Sequence, residues 1–315
     1  MQQTVRHMTD NWHLFDLLEQ GKVGLSSGYL YTGPKKVLVD TGSALCHEHI
    51  VQALNELGLA LTDLDYVILT HLHLDHAGGA GVLAKHAPQA QFLCQKRAAR
   101  HLIDPTRLIV GAGTVYGDDV ERLFGEILPV PEKRVRVMAD GEKLDIGDRV
   151  LQFYDTPGHA KHHLSVWDAQ SRLVFTGDTI GIRYVKEYTN WDFELVFPST
   201  SPTDFDPEAV HYSVTKIKEL DPHMVCHTHF GPSLASDAFA ATLFGVDALA
   251  TLIKRVYRPD IAWTEVADEI RLHLQAHIRT LGHNIETLDA GPLDLDIELN
   301  AKGLLHYEQK RQTNP

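Results

Sequence analysis

Thr70-His71-Leu72-His73-Leu74-Asp75-His76-Ala77-Gly78-Gly79 puts three imidazoles and a carboxylate within six residues, directly after the apolar run Tyr66-Val67-Ile68-Leu69. A strand that feeds a tight loop of imidazoles and a carboxylate delivers several ligands to one point. Borderline-soft divalent ions such as Zn²⁺ take imidazole nitrogen and carboxylate oxygen together. Alternate side chains of an extended segment share a face, so the spacing predicts that His71, His73 and Asp75 point one way. His76 then turns in from the following loop or helix start, where Gly78 and Gly79 permit close backbone approach. A single loop histidine carries no such message in a chain with 20 histidines, but four ligand-type residues at this spacing do.

Outside the motif the chain reads as an ordinary globular protein. With 315 residues it has room for one large domain or two smaller ones. No apolar run approaches the ~18 residues of a membrane span. The N-terminal stretch lacks the apolar core of a secretory signal. Cys46, Cys94 and Cys226 are odd in number and contain no CxxC pair, which gives no disulfide framework. A reducing, cytoplasmic setting is therefore expected. The net charge of −13 and the lack of a basic cluster argue against nucleic acid as a partner.

Strands are expected at 12–18, 27–31, 37–40 and 66–69, with a helix over 46–57 stopped at Gly58. A short helix around 82–84 and a strand at 91–94 follow. Residues 97–132 read as an irregular insert, with helical runs at 98–102 and 120–123 separated by the Asp104-Pro105 break and the flexible Gly111-Ala112-Gly113, that is either a lid or a surface decoration. Strands resume at 134–138, 143–146, 150–154, 163–167 and 173–176. Two loop tips then carry chemistry, Thr156-Pro157-Gly158-His159 and Thr176-Gly177-Asp178-Thr179. After a helix over 210–220, the short strand Met224-Val225-Cys226 opens onto His227-Thr228-His229-Phe230-Gly231. Apolar residues at helical spacing then predict three helices beyond Ser236, which either cover the sheet or make a homodimer contact. The domain reading is a catalytic unit at 1–235 with a helical extension at 236–315 packed on it.

Four loop tips, each just after a strand, thus present seven ligand-type side chains: His71, His73, Asp75, His76, His159, Asp178 and His229. With Val39-Asp40-Thr41-Gly42, these motifs resemble those of the metallo-β-lactamase superfamily, in the family's order and over roughly residues 12–235. The resemblance implies an α/β fold, a four-layer αβ/βα sandwich of two mixed sheets with helices outside. It also implies that His71, His73 and His159 hold one metal. Asp75, His76 and His229 would hold the other, and Asp178 would bridge both. Two divalent ions are implied, zinc favoured, with manganese or iron as alternatives. His227 competes with His229 for the last ligand position, and His229 is preferred because the family's last histidine sits in a His-x-Gly loop. His163 is read as a support for the site, and Asp40 as a buried brace that touches no metal.

Two metals ~3.5–4 Å apart would generate a bridging hydroxide at neutral pH, with Asp75 or Asp178 passing a proton to the leaving group. The expected enzyme is a hydrolase of a small-molecule ester, lactone or thioester, with no membrane or nucleic-acid partner. The aromatic-rich stretch 180–207 is either a pocket lining or core. Two rival readings are a mononuclear iron persulfide dioxygenase using His71, His159 and Asp178, and a metal-containing regulator with vestigial hydrolysis.

Overall fold

The computed structural model describes residues 5–200, 202–283 and 291–313. The chain begins with β1 (Val5–Thr9), β2 (Trp12–Asp16), β3 (Ser27–Tyr31) and β4 (Lys36–Val39), all antiparallel neighbours. Helix α1 (His47–Glu56) crosses to β5 (Leu64–Ile68), which pairs parallel with β4. The histidine motif follows, its second half wound into α2 (Leu74–Ala77), and α3 (Ala80–His86) leads to β6 (Gln91–Gln95). An excursion of α4 (Lys96–Ile103), α5 (Thr106–Tyr116) and α6 (Val120–Phe124) returns to β7 (Val135–Met138). The seven strands form one mixed sheet in chain order, its last four parallel.

The second sheet begins with β8 (Lys143–Asp145), β9 (Val150–Asp155), β10 (Leu164–Asp168) and β11 (Leu173–Gly177). A small hairpin, β12 (Ile182–Tyr184) and β13 (Leu195–Phe197), encloses α7 (Lys186–Thr189). Helix α8 (Pro207–Lys218) precedes β14 (Met224–His227) and β15 (Gly231–Leu234). The sheet order is β15-β14-β11-β10-β9-β8, with β11 and β14 parallel. Three long helices close the chain, α9 (Ala235–Val256), α10 (Trp263–Thr280) and α11 (Asp294–Thr313).

Strand alternation sorts the side chains into layers. On β3, Tyr29 and Tyr31 enter the core between the sheets while Leu30 faces the α1 and α3 side. On β11, Phe175 points between the sheets and Val174 points outward. That outward face packs with α8 to α11 in one apolar cluster. The result is the expected αβ/βα sandwich with a helical C-terminal extension. Helix α9 is long and apolar enough, by length and composition, to cross a membrane, with a mean hydropathy of 1.4. Here Phe239, Val246, Leu249 and Ile253 are spent on the core instead.

Several local expectations are corrected. The insert is more helical than expected: the runs at 98–102 and 120–123 form α4 and α6, and the stretch between them, read as flexible, forms α5. Asp104 Oδ1 accepts from the Thr106 N–H (3.1 Å) and hydroxyl (2.6 Å), so the Asp104-Pro105 break is also the start of α5. Gly111 and Gly113 are carried inside that helix, on positions with open space around them. The aromatic stretch is mainly core: Tyr184, Phe193, Phe197 and Phe205 all join the apolar cluster under α8 to α11. Strand β1 was not foreseen, because Arg6 and His7 are exposed and break the apolar pattern.

Candidate metal centre

The ligand loops leave the ends of β5, β9, β11 and β14 at one edge of the sandwich. The alternating-face reading of the motif is half right. His71 and His73 act together, whereas Asp75 sits on the helical turn of α2 and faces the other group. His71 Nε2 and His159 Nε2 each lie 2.9 Å from His73 Nδ1. On the other side, Asp75 Oδ2 lies 3.2 Å from His229 Nε2 and 3.6 Å from His76 Nε2. Asp178 joins the halves: Oδ1 is 3.3 Å from His76 Nε2, and Oδ2 is 3.6 Å from His159 Nε2. All seven side chains named from the sequence are therefore brought to one point.

The other ring nitrogens are tied down, which orients the converging ones. His71 Nδ1 donates to Thr70 Oγ1 (3.1 Å), His76 Nδ1 to Asp40 Oδ2 (3.1 Å), and His159 Nδ1 to the Ser199 carbonyl (3.2 Å). His229 Nδ1 donates to the Leu25 carbonyl (3.1 Å). Asp40 sits in the left-handed region at φ 54°. It accepts from Thr70 N–H (2.8 Å), the Thr70 hydroxyl (2.8 Å) and the Thr228 hydroxyl (2.6 Å). It therefore clamps two ligand loops and reaches His76 from behind, as a brace should.

His163 accepts from the Asp178 N–H at 3.3 Å and donates to Thr156 Oγ1 at 3.0 Å. It thus fixes the backbone of the central carboxylate. His227 is not at the centre. Its Nδ1 donates to the Gly181 carbonyl (3.0 Å) and its Nε2 accepts from the Ser233 hydroxyl (2.8 Å), both away from the cluster. The geometry therefore places His229, and not its neighbour, beside Asp75.

The charge pattern is that of a cation site. Burial and neighbouring imidazoles push His71 far below its ordinary pKa and His73 down to about 3. Burial opposes protonation of His76 and His229 too, but Asp178 and Asp75 outweigh it, raising His76 well above normal and His229 to about 9. Burial likewise opposes ionisation of Asp178, yet His76 and His229 hold it far below the carboxylate range. Among the described residues, His76 Nε2 and Asp178 Oδ1 are buried and face each other at 3.3 Å without a well-aligned hydrogen bond, and neither has another partner of that kind. Buried orphan donors and acceptors are costly unless something else satisfies them. Two groups, His71/His73/His159/Asp178 and Asp75/His76/His229, bring their ligand atoms within 4.8 Å of one another and could each hold a metal ion.

Three further residues around this centre escaped the sequence reading. Glu19 is buried against the Asp40-Thr41-Gly42 loop, accepting from the Ser43 N–H (2.8 Å) and the Cys46 thiol (3.0 Å). Tyr116 of α5 is close enough to the centre to feel the charges of Asp75 and Asp178, and it also lines a cleft of about 690 Å³. Asp296 of α11 accepts from the Tyr184 hydroxyl at 3.0 Å. Only Asp296 carried a readable signal. It falls on the Leu293, Ile297, Asn300 and Leu304 face, where a carboxylate must find a partner.

A family model for the metallo-beta-lactamase superfamily matches residues 21–229. A metallo-beta-lactamase fold-containing protein of Sulfurisphaera tokodaii is 31% identical over 174 residues, 54% of this chain and 62% of that protein. A transcription termination factor of Cenarchaeum symbiosum is 28% identical over 56% of this chain and 28% of its own length. The matches thus span less than two thirds of these relatives. In three dimensions, a metallo-beta-lactamase family protein of Thermus thermophilus superposes with a TM-score of 0.64, covering 91% of this chain and 89% of that one at 20% identity. With the fold, the ligand loops and the family model in agreement, the chain belongs to the metallo-beta-lactamase superfamily.

Proposed function

We propose that the protein is a dinuclear metal-dependent hydrolase of a small-molecule ester, lactone or thioester. The observation that carries this reading is the position of Asp178, whose two carboxylate oxygens face the two ligand groups separately. His71, His73 and His159 would hold one ion, Asp75, His76 and His229 the other, and Asp178 would serve both. Zinc is favoured by the nitrogen-rich donor set, with manganese or iron as alternatives. Two divalent ions bound there would supply Lewis acidity and lower the pKa of water from 15.7 toward ~7.

The chain's own residues provide the rest. Asp40 and His163 fix the orientation of His76 and Asp178 before substrate arrives, so little reorganisation is needed during reaction. Asp178 is 5% exposed and stays shielded, whereas the Asp75 side chain is 26% exposed. Asp75 is therefore the residue able to carry a proton from the centre to a leaving oxygen or sulfur. The insert supplies a wall. Val120 and Phe124 pack on Leu74, between the ligands His73 and Asp75, with Leu108, Tyr116 and Leu123 around them. The cytoplasm is the proposed setting, consistent with three free, buried cysteines.

The test is turnover of an ester, lactone and thioester panel by the metal-loaded protein. Hydrolysis abolished by chelation and restored by metal is the expected result. A fully loaded protein that turns over none of the panel overturns the hydrolase reading and favours a regulator. One iron per chain with oxygen uptake on a persulfide would point to the dioxygenase instead.

A further inference from the structure

Helix α5 departs from the rule that an apolar helix is a buried one. It carries Leu108, Ile109, Val110, Ala112, Val115 and Tyr116, with Arg107 as its single charge, yet none of its residues is buried. The inner face, Leu108, Ala112 and Tyr116 at i, i+4 and i+8, leans on the small cluster around Leu74, Val120 and Phe124. The outer face, Arg107, Val110, Gly111 and Thr114 at i, i+3, i+4 and i+7, is exposed. Val110 is 66% exposed, and Ile109 beside it 39%. Thr114 donates its hydroxyl to the Gly111 carbonyl at 2.7 Å, which spends its polar group within the helix. Gly111 and Gly113 have open space where a Cβ would stand, so another backbone can come close. Exposed apolar faces of this kind mark interfaces.

The charges at the two ends of α5 indicate what covers that face. Arg107 stands at its N-terminal end, Asp118 and Asp119 stand just beyond its C-terminal end, and all three are exposed. Asp119 already pairs with Arg122 at 2.8 Å, whereas Arg107 and Asp118 make no ion pair among the described residues. This pattern is self-complementary about a two-fold axis. Arg107 and Asp118 are equidistant in sequence from the midpoint between Ala112 and Gly113, so an antiparallel second α5 sets each basic end against an acidic one. The small residues then fall at the crossing, and Val110 of each copy covers the apolar face of the other. A parallel pair would set like charge against like. An anionic membrane would be repelled by Asp118, Asp119 and Glu121 at the same end.

We propose that the outer face of α5 is the contact of an isologous dimer, with a second copy of this chain, antiparallel at α5, as its occupant. The dimer requires neither metal nor hydrolysis. Its size sets its strength. Helix α5 has 11 residues and is about 16 Å long, which is small against the ~800 Å² that each partner gives to a standard stable interface. The dimer is therefore weak, with a dissociation constant of about 10–100 µM. Because Leu108, Ala112 and Tyr116 press on the Leu74 cluster from the other side of the helix, the second copy rests on the back of the wall that flanks the metal centre.

The test is sedimentation velocity of the full chain from about 1 to 300 µM, a range that brackets such an affinity. Wild type should pass from one chain toward two across it. Val110→Glu, at an exposed position, should stay at one chain throughout. Arg107→Asp and Asp118→Arg should each weaken dimerisation by about tenfold or more, since each sets like charges together at both ends of the contact. The double swap, Arg107→Asp with Asp118→Arg, should return it to near wild type. Urea midpoints measured alongside separate loss of the contact from loss of the fold. A wild type that stays at one chain throughout overturns the proposal, as does a dimer untouched by Val110→Glu. A double swap no better than the single ones overturns the antiparallel pairing. Monomers that bind phosphatidylcholine–phosphatidylserine vesicles, and lose that binding in Val110→Glu, would assign the face to a membrane and overturn the proposal as well.

Discussion

Replacing Asp40 by Asn isolates what the brace behind the metal centre contributes. Asn tolerates the left-handed backbone that Asp40 adopts at φ 54°, so the substitution leaves the turn itself unstrained. Its carbonyl can still accept from the Thr70 N–H. Its amide, however, would face the Thr70 hydroxyl, the Thr228 hydroxyl and the His76 ring, three groups that now donate to Asp40 Oδ2. Hydrogen bonds to a charged acceptor are worth roughly 1.5–3 kcal/mol each. The two hydroxyls can rotate to recover part of this, which leaves an expected loss of about 2–4 kcal/mol. His76 can escape the clash only by moving its proton from Nδ1 to Nε2, the nitrogen that faces Asp178. Metal affinity at that half of the centre should therefore fall by about 10–100-fold. The assay is urea unfolding of the metal-free protein, with zinc competition against a chelator on the same preparations. An Asp40→Asn protein that loses less than ~0.5 kcal/mol and binds both metals like wild type would refute the brace.

Other outcomes follow from the same geometry. His227→Gln should cost about 1–3 kcal/mol by unseating a buried bonded ring, yet leave metal content unchanged; a lost metal would reinstate it as a ligand. Gly177→Ala should destabilise strongly, since φ is 46° and a Cβ would sit 2.6 Å from Thr70 Oγ1 and 2.7 Å from His163 Nε2; a variant as stable as wild type would contradict that packing. The metal-free protein should lose stability as pH falls from about 6.5 toward 4. Burial holds His227 down to about 4 and His73 and His162 to about 3, so below their ordinary value near 6.5 the unfolded chain binds more protons. Each such group contributes up to about 1.4 kcal/mol per pH unit. His76 and His229 act oppositely, but the stability from their raised values is already fully present below pH 6.5 and cannot offset the fall. A urea midpoint that stays flat between pH 7 and 5 would contradict this.

The seven ligand-type residues were legible because each stands at the end of an apolar strand, where a period-two pattern stops and chemistry begins. Asp40 was legible for the same reason, at the end of β4. What was less legible depends on distance along the chain. Glu19, Tyr116 and Asp296 reach the centre from a loop, an insert and the last helix, and no local spacing links any of them to His71. Within the insert, α4 and α6 were legible as helical runs at 98–102 and 120–123, whereas α5 was masked by Gly111, Gly113 and Pro105, residues read as breakers. Pro105 is tolerated because it precedes the first turn, and the glycines because they face open space. The aromatic stretch was ambiguous in composition because Tyr184, Phe193 and Phe197 would suit either a pocket or a core. Packing decided for the core.

The central claim is that Asp178 ties two metal groups into one centre, and metal stoichiometry tests it most directly. The metal-stripped protein, reloaded with zinc and passed through a desalting column, should retain two ions per chain. Asp178→Ala should retain at most one and lose turnover on any substrate the wild type hydrolyses. One ion per wild-type chain, or two in Asp178→Ala with activity intact, would contradict the account.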